Sequence, residues 1–310
     1  MNDGSGIAKL KENISKRLIG KDDLIRKMLT VLLAGGHVLL EDVPGVGKTT
    51  LARALADSVD CSFARIQCTP DTMPSDITGV SVYHMHTGEF EVIPGPVVNN
   101  IVLADEINRT SPKTQAALLE AMEERQVTID KTTIPLPEPF MVIGTQNPVE
   151  MTGTYPLPEA QLDRFMMKLS VGYPSAESAA VMAKEFLAGT LHEETRPVMD
   201  VKTLLEMKEE VRDVMVHDDL VQYASDLVEA TRHHHDISCG ASPRALLELL
   251  RASQAAAWIS GRDYLIPQDI IDTAKDVLPH RLLLSAEARM NRITRYAALL
   301  QVINTTTVPK

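Results

Sequence analysis

With 310 residues the chain is long enough for more than one domain at about 100–200 residues each, and 44% apolar against 24% charged residues is the balance of a globular protein rather than a disordered one. A formal charge of −11 opposes long-range attraction to nucleic acid and anionic membranes. No apolar run approaches the roughly 20 residues that cross a bilayer, and residues 1–6 carry neither the basic region nor the apolar stretch of an export signal, so the cytoplasm is the expected compartment. Cys61, Cys68 and Cys239 form no C-x-x-C pair, which fits reduced thiols used as small core residues.

In chain order, Ile7, Leu10, Ile14 and Leu18 recur at helical spacing until Gly20 breaks the pattern. Leu24, Ile25, Met28, Leu29, Leu32 and Leu33 then predict a second helix, stopped by Gly35-Gly36. Short apolar runs follow at 37–40, 63–66, 101–104, 140–143 and 167–171. Continuous rather than alternating apolarity predicts parallel strands covered on both faces. Residues 49–59 and 112–125 predict crossover helices, so the fold expected is an α/β parallel sheet flanked by helices, with ligands at the strand C-termini. Segments 79–96 and 127–136 stand out as excursions from this sheet, the second turning at Asp130-Lys131. Beyond Tyr173-Pro174 helical patterns take over, including Leu204/Leu205, Leu220 with Leu227, and Ile270 with Val277. The predicted division is an α/β nucleotide-binding domain over 1–173 and a small all-α lid over 174–310.

The run 37–40 leads into Glu41-Asp42-Val43-Pro44-Gly45-Val46-Gly47-Lys48-Thr49-Thr50 and then a helix. Glycines let such a loop aim backbone N–H groups at a phosphate, the helix N-terminus adds its positive end, Lys48 reaches the outer phosphates, and Thr49 is a Mg²⁺ ligand. The glycine that usually opens the pattern is Asp42 here, which weakens the motif taken alone. Farther on, Ile101-Val102-Leu103-Ala104-Asp105-Glu106 delivers two carboxylates to the sheet edge where the loop lies. Asp105 suits Mg²⁺ held through water, and Glu106 suits a base that deprotonates the water attacking a γ-phosphate.

Taken in order, D-V-P-G-V-G-K-T, A-D-E-I-N-R, G-T-Q-N-P, L-P-E-A-Q-L-D-R-F and G-A-S-P-R-A span nearly the whole chain and resemble the MoxR family of AAA+ ATPases. The two excursions resemble the insert and hairpin of the related clade that includes magnesium-chelatase ATPase subunits. The resemblance implies ATP with Mg²⁺, loop contacts from Pro44 to Thr50, and an adenine-side contact at Ile19-Gly20. It implies Asn147 as a polar sensor near the γ-phosphate and Arg164 as a finger entering the neighbouring subunit's site, with Arg109 a rival for that contact. Arg244, in the first turn of a helix capped by Ser242-Pro243, matches the second sensor and is expected to reach the γ-phosphate from the lid. A homo-oligomer, expected as a hexameric ring, with chaperone-like remodelling or maturation of protein complexes follows from the same resemblance. So do metal-centre assembly and partners with von Willebrand A domains.

Two other readings compete. A DNA-acting motor of the same clade is disfavoured by the acidic charge and by the single cation, Lys131, in segment 127–136. A non-hydrolysing nucleotide-gated scaffold would leave Glu106, Arg164 and Arg244 without work. His233-His234-His235 invites a metal reading, but consecutive helical residues point about 100° apart, so a favourable helix end is the expectation.

Overall fold

The computed structural model describes residues 4–43, 45–147, 154–189 and 196–309. Helices α1 (Gly4–Ser15) and α2 (Asp22–Ala34) precede strand β1 (Val38–Glu41). Then come α3 (Lys48–Ser58), β2 (Phe63–Gln67), α4 (Pro74–Thr78), β3 (Gly79–His84), β4 (Glu89–Pro94), β5 (Ile101–Asp105) and α5 (Pro112–Glu124). They are followed by β6 (Gln126–Ile129), β7 (Thr132–Pro135), β8 (Met141–Gln146), α6 (Glu159–Leu162) and β9 (Met167–Leu169). The later half contains α7 (Ala176–Ala188), α8 (Val201–Arg212), α9 (Asp218–His233), β10 (Ile237–Cys239), α10 (Pro243–Ile259), α11 (Pro267–Val277), β11 (Leu283–Leu284), α12 (Ala286–Met290) and α13 (Arg295–Thr305). None of these helices is long and apolar enough to cross a membrane.

The five expected strands form one parallel sheet in the order β2-β5-β8-β1-β9. In the three central strands, β5, β8 and β1, the continuous apolarity has the predicted cause, since alternate residues enter two different cores, while the edge strands β2 and β9 carry Arg65 and Lys168 on one face. Val38, Leu40, Ile101, Leu103, Met141 and Ile143 pack with α1, α2 and α3, whereas Leu39, Val102, Ala104 and Val142 pack with Leu118, Leu119 and Met122 of α5. Both excursions are antiparallel hairpins, β3 with β4 and β6 with β7, and Asp130 takes a left-handed φ of 53° at the second turn. The later half is not wholly helical as expected: β10 and β11 pair antiparallel. Its core also does not stand alone, because Leu204, Leu227, Leu249 and Ile270 belong to the apolar cluster that contains Leu29 and Val38.

A buried cation joins the two halves. Arg281, its side chain 1% exposed, donates from Nη2 to the carbonyls of Asp163 and Phe165, both at 3.0 Å, and its Nε stands 2.9 Å from the Asp163 carboxylate. His280 meets the same Phe165 carbonyl at 2.9 Å. The short segment before β9 is therefore shaped by the helical half as well as by the sheet.

His37 secures the start of β1. The Val142 N–H donates to its Nδ1 at 2.9 Å, which leaves Nε2 protonated and facing the Met122 carbonyl at 3.3 Å. Burial, with help from the charge of Arg125, pushes its pKa down to about 3, so the folded ring stays neutral while the unfolded one titrates near 6.5. A depressed histidine pKa contributes stability that is complete above the unfolded value and is lost as pH falls toward the folded one. Unfolding free energy measured by denaturant at pH 7 and pH 5 should fall by about 2 kcal/mol from His37, at about 1.4 kcal/mol per pH unit below 6.5.

Candidate functional site

At the C-terminal edge of the sheet, β1 delivers the loop, β5 delivers Asp105-Glu106, and β8, lying between them, delivers Asn147. Gly45 and Gly47 adopt φ of 83° and 95°, conformations that side chains disfavour, and nothing fills the space beside Gly45. Lys48 is buried, and its ammonium donates to the Asp42 carbonyl at 3.0 Å. Val46, Thr49 and Thr50 are partly buried around it, while Pro44 lies outside the described residues. Leu51 closes the first helical bond of α3 onto the Gly47 carbonyl, leaving the N–H groups of Lys48, Thr49 and Thr50 without an intrahelical acceptor. The turn carrying Ile19 and Gly20 adjoins this loop, since Leu18 Cδ1 lies 3.3 Å from where a Cβ on Gly47 would stand. A Cβ on Gly20 would strike Ser178 of α7.

Asp42, the departure from the usual loop, has a structural task. Its carboxylate accepts from the Gly172 N–H at 2.6 Å, the Ser170 hydroxyl at 2.8 Å and the Val43 N–H at 3.0 Å. Burial raises its pKa, but these hydrogen bonds, led by Gly172 and Ser170, hold the carboxyl below its ordinary value. A glycine here would leave the loop untied from the segment after β9. Glu41 strengthens the same junction through Lys168 at 2.7 Å.

The acidic pair is fixed by Thr145, whose hydroxyl accepts from the Glu106 N–H at 2.8 Å and donates to Asp105 Oδ1 at 2.7 Å. The other Asp105 oxygen accepts from Arg65 Nη2 at 2.6 Å. Glu106 takes a left-handed φ of 58°, uncommon for a side-chain-bearing residue, and its carboxylate meets Arg109 of the same chain at 2.9 Å. Asn147 is buried just past β8. Free N–H groups at a helix start, a buried lysine and two carboxylates on one edge fit a triphosphate with Mg²⁺. Thr49, at the start of α3, and Asp105, at the end of β5, lie on this same edge.

Arg164 and Arg244 converge elsewhere. Arg164 Nε donates to Glu123 Oε2 at 2.6 Å and Arg244 Nη1 to Glu123 Oε1 at 3.0 Å, and the Arg164 bond, against a small burial effect and aided by the Arg244 charge, lowers the Glu123 pKa. Arg125, two residues beyond Glu123, donates to the carbonyls of Gly35 and Phe140, which lead into β1 and β8. The arginine pair therefore sits where the strands begin, across the sheet from the phosphate loop. The helical half packs α10 along α2, so the start of α10, with Arg244, lies at this edge and not beside Lys48 of the same chain.

Sequence reasoning missed Glu123, which nothing in the pattern of α5 separates from Glu120 and Glu124, and Arg65, which lies on a separate strand. Thr145 lay inside the quoted G-T-Q-N-P motif. In the histidine run only His233 is helical, and it pairs with Glu229 at 2.9 Å. His234 and His235 stack at 4.5 Å beyond the helix end, and with Asp236 they place one donor atom each within 4.8 Å of one another. His234 Nδ1 already accepts from the Asp236 N–H at 3.2 Å.

A parallel sheet with a glycine-rich strand-to-helix loop, a buried lysine and an acidic strand end defines a phosphate-loop nucleotide-binding protein. Comparison with known proteins narrows the class. Residues 37–167 match the ATPase family associated with various cellular activities (AAA), and residues 229–301 match the AAA lid domain. The chain is 49% identical over 304 residues to the uncharacterized protein YeaC of Bacillus subtilis, covering 98% of this chain and 95% of that one. It is 42% identical to Chaperone MoxR1 of Mycobacterium tuberculosis (96% and 81% covered) and 31% identical to Protein MoxR of Methylorubrum extorquens (96% and 93%). A crystal structure from Cytophaga hutchinsonii, described as a "putative ATPase", superposes with a TM-score of 0.93 at 40% identity, covering 99% of this chain and 96% of that one. The protein belongs to the MoxR family of AAA+ ATPases.

Asp42→Ala removes three accepted hydrogen bonds without touching Lys48. It should cost about 1–3 kcal/mol in stability and weaken ADP binding several-fold in a fluorescence titration; unchanged affinity would show that the tie to Ser170 and Gly172 does not shape the loop.

Proposed function

We propose that this protein hydrolyses ATP between the subunits of a hexameric ring and uses the cycle to remodel or mature a protein complex. The convergence of Arg164 and Arg244 on Glu123 supports this most directly. Two guanidiniums gathered at the edge away from their own phosphate loop can serve a phosphate only if a neighbouring copy brings its loop to them. Arg109 lies on the phosphate-loop edge, held by Glu106, whereas Arg164 lies with Glu123 on the opposite edge, which favours Arg164 as the main intersubunit arginine. Arg244 then acts on the neighbour's phosphates rather than its own.

In this reading Lys48 and the first N–H groups of α3 hold the phosphates, with loop contacts from Pro44 to Thr50 and Ile19-Gly20 beside the adenine. Bound Mg²⁺, held by Thr49 and Asp105, supplies charge neutralisation at the phosphate oxygens. Glu106, oriented by Arg109 and by the Thr145 bond to its own N–H, takes the proton of the attacking water. Asn147 positions that water, and Arg164 and Arg244 stabilise the charge that develops on the phosphoryl group. The α/β domain is assigned to 1–173 and the lid to 174–310, with Arg281 and Ser242 passing lid movement to the Asp163-Arg164 segment.

A protein client is favoured by the hairpin β3–β4, which exposes Val82, Tyr83, Met85 and Phe90, with the two aromatic rings 5.0 Å apart. Apolar projections suit a polypeptide better than a phosphate backbone, and the relative named Chaperone MoxR1 fits the same reading. A client or partner with a von Willebrand A domain and a cytoplasmic location complete the proposal.

Lys48→Ala should abolish nucleotide binding, whereas Glu106→Gln should retain ATP and stall turnover, as read by phosphate release; normal hydrolysis by Glu106→Gln would remove the assigned base. Specific activity should rise with protein concentration and fall by about 10³ or more in Arg164→Ala. A flat profile from nanomolar to micromolar protein would sink the intersubunit role.

A further inference from the structure

A cavity of about 400 Å³ opens at the lower edge of the sheet, between the end of α2, the segment leading into β8, and helices α8 and α10. That is a volume suited to a small molecule. Leu136 and Phe140 supply part of its apolar lining, while Arg125, Lys208, Arg212 and Arg251 bring four cations against one carboxylate, Glu138. Such a concentration of positive charge runs against the −11 of the whole chain.

Three of the four cations are not spent in ion pairs. Arg212 pairs with Glu209 at 2.8 Å, but among the described residues Arg125, Lys208 and Arg251 make no ion pair. Arg125 satisfies its N–H groups on two neutral carbonyls, those of Gly35 and Phe140, and the carboxylates Glu138 and Glu248 act on it without a direct ion pair. Lys208 reaches the same corner, its Nζ 3.8 Å from where a Cβ on Gly35 would stand, and thus shares Gly35 with the Arg125 guanidinium. Burial pushes the Lys208 pKa down; Glu138 acts against this, and the charges of Arg125 and Arg212 add to it. Like charges held together in a recess, partly out of water, cost free energy that an anion would recover.

We propose that this cavity is a second binding site, separate from the phosphate loop, for a small multivalent anion of the phosphate type. Guanidinium forks from Arg125 and Arg251 and the compact ammonium of Lys208 are the donors that tetrahedral oxyanions take. An occupant would fasten α8 and α10 of the helical half to the end of α2, so its binding couples to the position of that half.

The test is isothermal titration of the full-length Lys48→Ala chain with inorganic tripolyphosphate, and in a second arm with an organic bisphosphate. The site predicts saturable one-to-one binding of at least one of them. Affinity should fall at least tenfold when Lys208→Met and Arg251→Gln are added, with the thermal midpoint kept or raised. Pocket-dependent binding of the organic bisphosphate alone assigns the ligand a carbon body, and of tripolyphosphate alone a bare phosphate chain; both support the site. Absence of saturable binding in both arms, or equal affinity in the two variants, overturns it. Should the added substitutions unfold the chain, protection of Lys208 from amine acylation by the same probes, read by mass spectrometry, decides the matter: protection supports the site and unchanged labelling rejects it.

Discussion

Burial of β1 on both faces is the constraint on which the rest depends. Val38, Leu39 and Leu40 have no exposed surface, and the first and third enter one core while the second enters the other. A one-residue slip would exchange these sets against two differently shaped interiors, so the strand has a single workable register. His37 pins its beginning to Val142, and Asp42 pins its end to Ser170 and Gly172. The phosphate loop is thus suspended from a strand that cannot shift. Lys48, Thr49 and the free N–H groups of α3 inherit that rigidity, which is what an anion site needs if binding is not to be spent on ordering the loop.

The parallel sheet also sorts charge. Strand ends carry Asp42, Asp105 and Glu106, while the edge where the strands start carries Arg125, Arg164, Arg244 and the cations of the lower cavity. Arg65 and Arg109 pair with Asp105 and Glu106 at the strand ends, whereas Arg125, Lys208 and Arg251 of the lower cavity make no ion pair among the described residues. Glu123 keeps two guanidiniums side by side that would otherwise repel, and because it is 40% exposed the arrangement remains open to solvent and to a competing anion.

Much of this was legible beforehand for a physical reason. Central strands buried on both faces write continuous apolar runs, and a phosphate loop requires particular residue types at fixed spacing, so β1, β5 and β8, the loop, the acidic pair and the turn at Asp130-Lys131 announce themselves locally. Asp42 was legible as an oddity but not as a clamp, because its partners lie 128 and 130 positions away. Glu123 and Arg281 gave no local signal at all: an exposed-looking acid in a helix and a basic residue between helices acquire meaning only from what packs against them.

The amino-acid sequence by itself determined the α/β class, the glycine-rich loop between β1 and α3, and the acidic pair that ends β5, since those depend on near-neighbour geometry. Tertiary structure alone decided which edge each arginine occupies. Arg244 follows its helix cap in a way that suggests an anion nearby, yet the packing of α10 along α2 carries it to Glu123 and away from Lys48. The direction in which a helix lies on a sheet is set by the shapes of two buried surfaces distant in the chain, and no local pattern contains that information.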